Sequence, residues 1–345
     1  MPWRCRTTFG RRCARRLHPR KLLRQLARAP LARHVPHAAS TCLTVRPIAP
    51  FRLDLTVWTL RRRRRNAIDR WDGHTYRRIV VVGERPTELA IRQTGSSTAP
   101  RLIVTATPSL RNTSDRRNVR LIVDRLLGPR IDLREWYRMA DGDQRLRALA
   151  ARFRGMKPPR FPTVFEALVN GFACQQLSLI VGLELLNRLA ALCNVGRDRE
   201  DSMTYAFPSP HDMARVPPSR LQAIGFSRQK VRALLALAGG IDSETVDVSG
   251  LMHDSDDAAR AKLLELRGVG RWTAEYVLLR GLGRLHVFPG DDVGAQKSLA
   301  RWLGRPDVLD HAGVTRSVAR WHPYAGLVYF HLLLDGLSQA GEVIE

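Results

Sequence analysis

The sequence predicts an α+β protein in which a small antiparallel β-sheet N-terminal domain precedes an all-helical region. Three observations carry this. Residues 51–109 hold short β-branched runs separated by Gly and Pro. From about Asp115 onward apolar residues recur at helical spacing. Hydrophobic residues make up 44% of the 345, the fraction of a globular protein. The expected organisation is a basic tail over 1–50, a β-rich domain ending in short helices over 51–157, and a helical region over 158–345.

Residues 1–53 contain thirteen Lys or Arg and no acid, about half of the net charge of +25. An Arg-rich, acid-poor start fits a mitochondrial transit peptide, a basic arm that touches DNA, or GC-rich upstream sequence translated from a start codon set too early. The remaining +12 favours a polyanionic partner such as nucleic acid. No apolar run reaches the roughly 20 residues that span a bilayer, so no membrane insertion is expected. The expected location is cytoplasmic and nucleoid-associated, or mitochondrial or nuclear if the tail is a targeting segment. Five cysteines, at 5, 13, 42, 174 and 193, include no CxxC pair, so zinc and iron–sulfur ligand spacing is missing and buried or idle thiols are expected.

Taken in order, FRLDLTVWTL (51–60), TYRRIVVVG (75–83), ELAIRQTG (88–95) and PRLIVTATP (100–108) read as strands, and Arg61–Arg65 as a solvated face. NVRLIVDRLLG, DLREWYRMA and DQRLRALAARFRG read as short helices, and the prolines of Lys157–Pro162 as a domain boundary. Residues 163–194 form a helical stretch that breaks near Gln175–Ser178. Residues 207–241 give two more helices about a corner at Ile224, Gly225 and Phe226, with Gly225 as a C-cap. Asp254–Leu266 is a helix leading into a glycine hairpin. The segment 322–337, apolar on most faces, must pack in the core.

The chemistry concentrates in Leu266–Asp292, LRGVGRWTAEYVLLRGLGRLHVFPGDD. Gly268 and Gly270 permit a sharp turn and close approach of a partner. Trp272, Tyr276 and Leu279 share a helical face, so a helix begins directly after the hairpin. Its unpaired amides and dipole favour phosphate, a clamp that holds a nucleic-acid backbone without reading bases. Asp291 and Asp292 follow a Pro-Gly turn at the start of the next helix, so one is expected to cap it. The other carboxylate is suited to stabilising an oxocarbenium-like sugar and orienting water towards C1′. Trp272 and Tyr276, at i and i+4, fit either a wall for an extruded base or ordinary core, and spacing alone favours the core.

This stretch resembles the motif and acidic loop of the helix-hairpin-helix DNA glycosylases, most of all the 3-methyladenine glycosylase II (AlkA-like) branch of the HhH-GPD superfamily. FPTVFEALVNGFACQQLS and IGFSRQK precede it in the same order, so the resemblance runs from Phe51 to the C-terminus. It implies Asp292 as the catalytic carboxylate and Asp291 as its neighbour and cap. Trp272 stands where endonuclease III-like relatives place a lysine, and an indole forms no Schiff base, which implies a monofunctional enzyme. It further implies a substrate pocket of Trp272, Tyr276 and Gln175, DNA contacts from Gly268, Val269, Gly270 and Thr273, and Gln176 filling the gap left by the flipped base.

The implied activity is hydrolytic excision of alkylated purines, of the 3-methyladenine and 7-methylguanine type, from damaged double-stranded DNA in base excision repair. A monomer without metal or redox cofactor is expected, with a monovalent cation at the hairpin carbonyls left open. Leu333 and Val293 replace aromatics of some relatives, implying a wider or less aromatic pocket, and Tyr329 and His331 read as core residues. Two alternatives stand beside this one: a glycosylase for hypoxanthine, uracil or an oxidised purine, and a non-catalytic binder that uses the hairpin only as a clamp.

Overall fold

Alternating burial builds the sheet where the pattern predicts it: β3 (Thr75–Val82), β4 (Arg85–Thr94) and β5 (Arg101–Thr107) are antiparallel neighbours. Gly83 and Glu84, both at positive φ, make the tight turn between β3 and β4. The computed structural model describes residues 39–193 and 205–343, so the tail readings over 1–38 lie outside the described residues. Two strands were not expected. β1 (Thr41–Val45) pairs with β5 and β2 (Arg70–Trp71) with β3, giving the order β1-β5-β4-β3-β2. The limit of the tail at residue 50 is therefore corrected: TCLTV alternates buried and exposed side chains and belongs to the sheet.

FRLDLTVWTL is also corrected, from strand to helix α1 (Leu53–Arg61). It lies between two apolar layers, with Leu53, Val57 and Leu60 against the sheet and Leu55 and Trp58 against helices. Burial on nearly all sides erases the helical period from the sequence. The buried hydroxyls of Thr56 and Thr59 donate to the carbonyls of Arg52 and Leu55, so their polarity costs the helix little.

α2 (Thr113–Leu127), capped by Asn112, covers the sheet with Val119, Val123, Leu126 and Leu127. Then come α3 (Arg134–Asp141), α4 (Gln144–Arg152), α5 (Val164–Cys174) and α6 (Leu179–Cys193). Three helices, α7 (Pro210–Ala214), α8 (Pro218–Ala223) and α9 (Arg228–Asp242), stand where two were expected, because prolines start both of the first two. α10 (Asp256–Glu265) and α11 (Arg271–Val277) flank the hairpin, and α11 runs on into a π turn, Leu278–Leu282. α12 (Val293–Leu303), α13 (His311–Val318) and α14 (Ala325–Gln339) complete the chain.

The proposed boundary at 157 separates no cores. Trp136, Leu146 and Phe153 from before it share one cluster with Leu299, Phe330 and Leu334 from after it. The presumed linker is interior, with Lys157 fully buried and its Nζ donating to the Ile131 carbonyl at 2.6 Å. The described residues from 39 onward belong to a single contact unit.

Sheet and helices are joined by buried charge. Arg78 of β3 donates to Asp69 at 2.7 Å and to both oxygens of Glu166 on α5 at 2.5 and 2.6 Å. The Tyr76 hydroxyl donates to the same Asp69 at 2.7 Å. Burial raises the Glu166 carboxyl above its usual range, and Arg78 opposes that shift.

Replacing Arg78 by Met leaves two buried carboxylates without their cation. About 3 kcal/mol or more of stability should be lost, read by urea unfolding, and a loss under about 1 kcal/mol would show that this network does not hold the two layers. His331 supplies a pH test. Its Nδ1 donates to the Leu327 carbonyl at 2.7 Å, its ring packs on Trp136, and burial lowers its pKa from 6.5 to about 4. The unfolded chain therefore binds this proton first. The contribution of neutral His331 is complete above the unfolded pKa and is lost as pH falls through the window from 6.5 to about 4, about 3 kcal/mol in all. A His331→Leu variant should lack that part of the acid destabilisation, and an unaltered stability profile would disprove the assignment.

Candidate active site

The two hairpin glycines have different reasons to be glycine. Gly268 lies at φ 83°, and a Cβ there would sit 2.8 Å from the Ala233 Cβ. Gly270, the N-cap of α11 at φ −105°, would present a Cβ to open space. The first requirement is internal packing, whereas the second glycine keeps the outer surface low. Val269 between them is buried and anchors the hairpin in the core, so its side chain is not a surface contact. The first helical bond of α11 runs from Ala274 N to the Gly270 carbonyl. The amides of Arg271, Trp272 and Thr273 precede it, and Gly270 has no side chain to cap them, which leaves them for an outside anion.

Gln175 and Thr273 are tied to the hairpin and to each other. Gln175 Nε2 donates to the Gly268 carbonyl and to Thr273 Oγ1, both at 2.8 Å, so it secures the hairpin. Lys230 Nζ in turn donates to the Gln175 carbonyl at 2.8 Å. Thr273 is buried, so its amide alone, and not its side chain, is free to meet DNA. Gln176 is exposed at the tip of the α5–α6 turn and held at φ 54°, a conformation side chains other than glycine rarely adopt. Next to it Leu177, Ile180 and Val181 are exposed, an apolar tip that sequence reading passed over.

The acidic loop is fastened by α11. Glu275 accepts from Gly290 N at 2.9 Å and pairs with His311 at 3.0 Å, and Gln296 donates to the Gly290 carbonyl at 2.8 Å. Arg271 holds Asp291 through two hydrogen bonds, of 2.6 and 2.9 Å, and those bonds draw the Asp291 carboxyl below its usual range. Asp291 is therefore an ion-pair partner and not the cap. Asp292 is the N-cap of α12, its Oδ1 accepting from Ala295 N at 2.9 Å. Its Oδ2 accepts from the Tyr329 hydroxyl of α14 at 3.0 Å. Burial and then the adjoining Asp292 charge push the Tyr329 phenol well above its ordinary pKa, so it remains a donor. The result is one carboxylate with both oxygens oriented, beside a half-buried surface. Among the described residues, no group of His, Cys, Asp or Glu is arranged to hold a metal ion.

Trp272 and Tyr276 stack on each other, centroids 5.4 Å apart and 30° between planes. They form one layer, with Trp272 half-buried and Tyr276 behind it in the core. Tyr276 accepts from Arg62 Nη1 at 2.9 Å, and Arg62 Nη2 donates to Asn170 at 2.7 Å. Arg61 and Arg62 are buried, against the expectation of a solvated run. His331 is core, as expected, whereas Tyr329 is core and also a partner of Asp292. Leu333, one turn after Tyr329, is half-buried and Val293 is exposed.

Residues 169–323 match the profile of the HhH-GPD superfamily of base excision DNA repair proteins. Over 205 residues the chain is 31% identical to the DNA-3-methyladenine glycosylase of Bacillus subtilis, covering 59% of this chain and 68% of that one. It is 32% identical over 193 residues to a probable bifunctional transcriptional activator/DNA repair enzyme AlkA of Mycobacterium tuberculosis, covering 55% of this chain but only 37% of that longer protein. In fold it is similar to the 3-methyladenine DNA-glycosylase from Archaeoglobus fulgidus, with a TM-score of 0.75 at 23% identity over 87% of this chain and all of that one.

The contrast between the hairpin glycines is testable. Gly268→Ala should lower stability by about 1 kcal/mol or more through strain and contact with Ala233. Gly270→Ala should melt with the parent yet bind duplex DNA about tenfold more weakly in fluorescence anisotropy, because the added methyl occupies the approach to the amides. Parental affinity in Gly270→Ala would place the phosphate contact elsewhere.

Proposed function

The chain belongs to the HhH-GPD superfamily of base excision DNA repair proteins, and on that premise we propose that it is a monofunctional DNA glycosylase that hydrolyses the N-glycosidic bond of alkylated purines in double-stranded DNA. The observation that carries the reading is the Asp292 carboxylate, held by Ala295 N and the Tyr329 hydroxyl close to the hairpin helix. A carboxylate held this way stabilises positive charge developing on the sugar and takes the proton of a water attacking C1′. Cationic bases of the 3-methyladenine and 7-methylguanine type have weakened glycosidic bonds and need little more. The names of the relatives point to 3-methyladenine among these.

DNA is the partner that the net charge of +25 and the free amides of α11 support, with the backbone held by Gly270 and the first turn of α11 and the gap filled by Gln176. Trp272, at the place of a lysine nucleophile, leaves no amine for a Schiff base, so the product is an abasic site in an unbroken strand. The protein acts as a monomer without a redox cofactor. The Leu266 and Gly268 carbonyls of the hairpin already accept from Val269 N and Gln175 Nε2, so a cation there would share engaged oxygens, and no step is routed through one. A purely structural DNA binder would have no use for the Tyr329–Asp292 bond, which favours the enzyme. No helix of the described residues is long and apolar enough to cross a membrane.

The test is base release from a duplex carrying 7-methylguanine. Asp292→Asn should slow it at least about 100-fold while DNA binding persists, and borohydride should trap no covalent adduct with the parent protein. Base release by Asp292→Asn at the parental rate would refute the mechanism.

A further inference from the structure

A recess of about 470 Å³ opens where the start of α4 meets the end of α12. Asp143, Gln144 and Arg145 line it from α4, Arg305 from the turn that follows α12, and Arg320 from the turn Ala319–Trp321. Asp292 stands at the opposite end of α12, whose 11 residues set the two places roughly 16 Å apart. The hairpin helix α11 is tied to that opposite end through Arg271 and Asp291. The recess is therefore a separate place, with three arginines for which base excision has no use.

Each arginine is held in place. Arg145 Nη1 donates to the Trp302 carbonyl at 3.0 Å and so crosses from α4 to the last turn of α12. Gly304, at φ 71°, turns the chain there, and Arg305 N closes the turn on the Ala300 carbonyl at 2.9 Å. Arg320 lies over the Trp321 ring at 4.5 Å, and Trp321 Nε1 donates to Asp143 at 3.2 Å. All three arginines are exposed, so a ligand can reach them. The carboxylate of the lining is already engaged. Asp143 Oδ1 caps α4, accepting from Arg145 N at 3.0 Å and Leu146 N at 3.1 Å, and Oδ2 faces Trp321 and, at 3.7 Å, Arg320. Burial works against its ionisation, but those hydrogen bonds and the Arg320 charge outweigh burial and hold its carboxyl below the usual range. Three guanidiniums thus face one carboxylate, an excess of two positive charges. Cations gathered this way repel one another, and an anion between them relieves the repulsion. Planar guanidinium forks match phosphoryl oxygens in pairs.

We propose that this recess is a phosphate-binding site, which takes a doubly charged phosphoryl group through Arg145, Arg305 and Arg320. Two sources carry that chemistry: a free anion of the diphosphate kind, and two neighbouring phosphates on a second segment of DNA. The site goes beyond the glycosylase reading and does not depend on it.

The experiment titrates the full chain with inorganic diphosphate in a calorimeter, where saturable binding is expected. Arg305→Gln with Arg320→Gln should weaken it at least about tenfold. Arg116→Gln with Arg117→Gln, an exposed pair on α2, removes the same charge outside the recess and should change it by less than about twofold. A second arm fills the parent with one unlabelled duplex and adds a labelled duplex, followed by fluorescence anisotropy. Uptake of the labelled duplex by the parent but not by the recess variant identifies DNA as the source of the phosphates. Binding of diphosphate alone identifies the free anion. The proposal is overturned if neither ligand distinguishes the recess variant from the parent, or if the α2 pair loses as much. Thermal melting checks that both variants fold. Should the recess pair unfold, Arg305→Gln alone decides by the same comparison, because the contacts among Asp143, Trp321 and Arg320 stay intact. Neither arm reads base release, so failure of the glycosylase reading remains separate.

Discussion

The buried triad of Arg78, Asp69 and Glu166 sets where α5 lies, and α5 sets the rest of the site. Glu166 fixes the start of that helix to the sheet. One turn on, Asn170 receives Arg62, and Gly171 beside it leaves room for Thr273, whose methyl would come within 2.9 Å of any Cβ there. One further turn on, Gln175 takes hold of the hairpin. Three successive turns of one helix thus engage the sheet, Arg62 and the glycine hairpin. A shift of α5 by a single turn, about 5.4 Å, would disconnect all three.

Much of this was legible in the chain because it is local. The hairpin glycines, the helix that follows, the break near Gln175 and the acidic pair are each written within a few residues, and the spacing of LRGVGRWTAEY is enough to place them. The resemblance to the glycosylases added Asp292, which periodicity could not single out from Asp291. What escaped was written across the chain. Leu53–Arg61 looked like a strand because a helix buried on nearly all sides keeps no amphipathic period. Arg62 looked solvated because a run of five arginines carries no mark of which one turns inward.

The pairing of Tyr329 with Asp292 spans 37 residues and joins an apolar helix to a loop, with no local signal at either end. The cap moved from one aspartate to the other for a similar reason. Capping by Asp291 was the reasonable expectation from its position, but Arg271, twenty residues earlier, claims it, and the cap falls to Asp292. Burial of Lys157 removed the domain boundary in the same way. Prolines signal the end of a helix, and they do not reveal whether the segment between helices is outside or inside.

Asp292 caps the start of α12, and in the proposed reaction the same carboxylate is the one offered to the sugar. This double duty bears on how related sequences are to be interpreted. A chain that had abandoned base excision and kept only the hairpin for holding DNA would still gain from an aspartate here, because α12 would still need its first turn closed. The acid by itself is then a weak indicator of an active enzyme. A tyrosine on the last helix, placed to engage the oxygen that capping leaves over, is the more telling residue to look for.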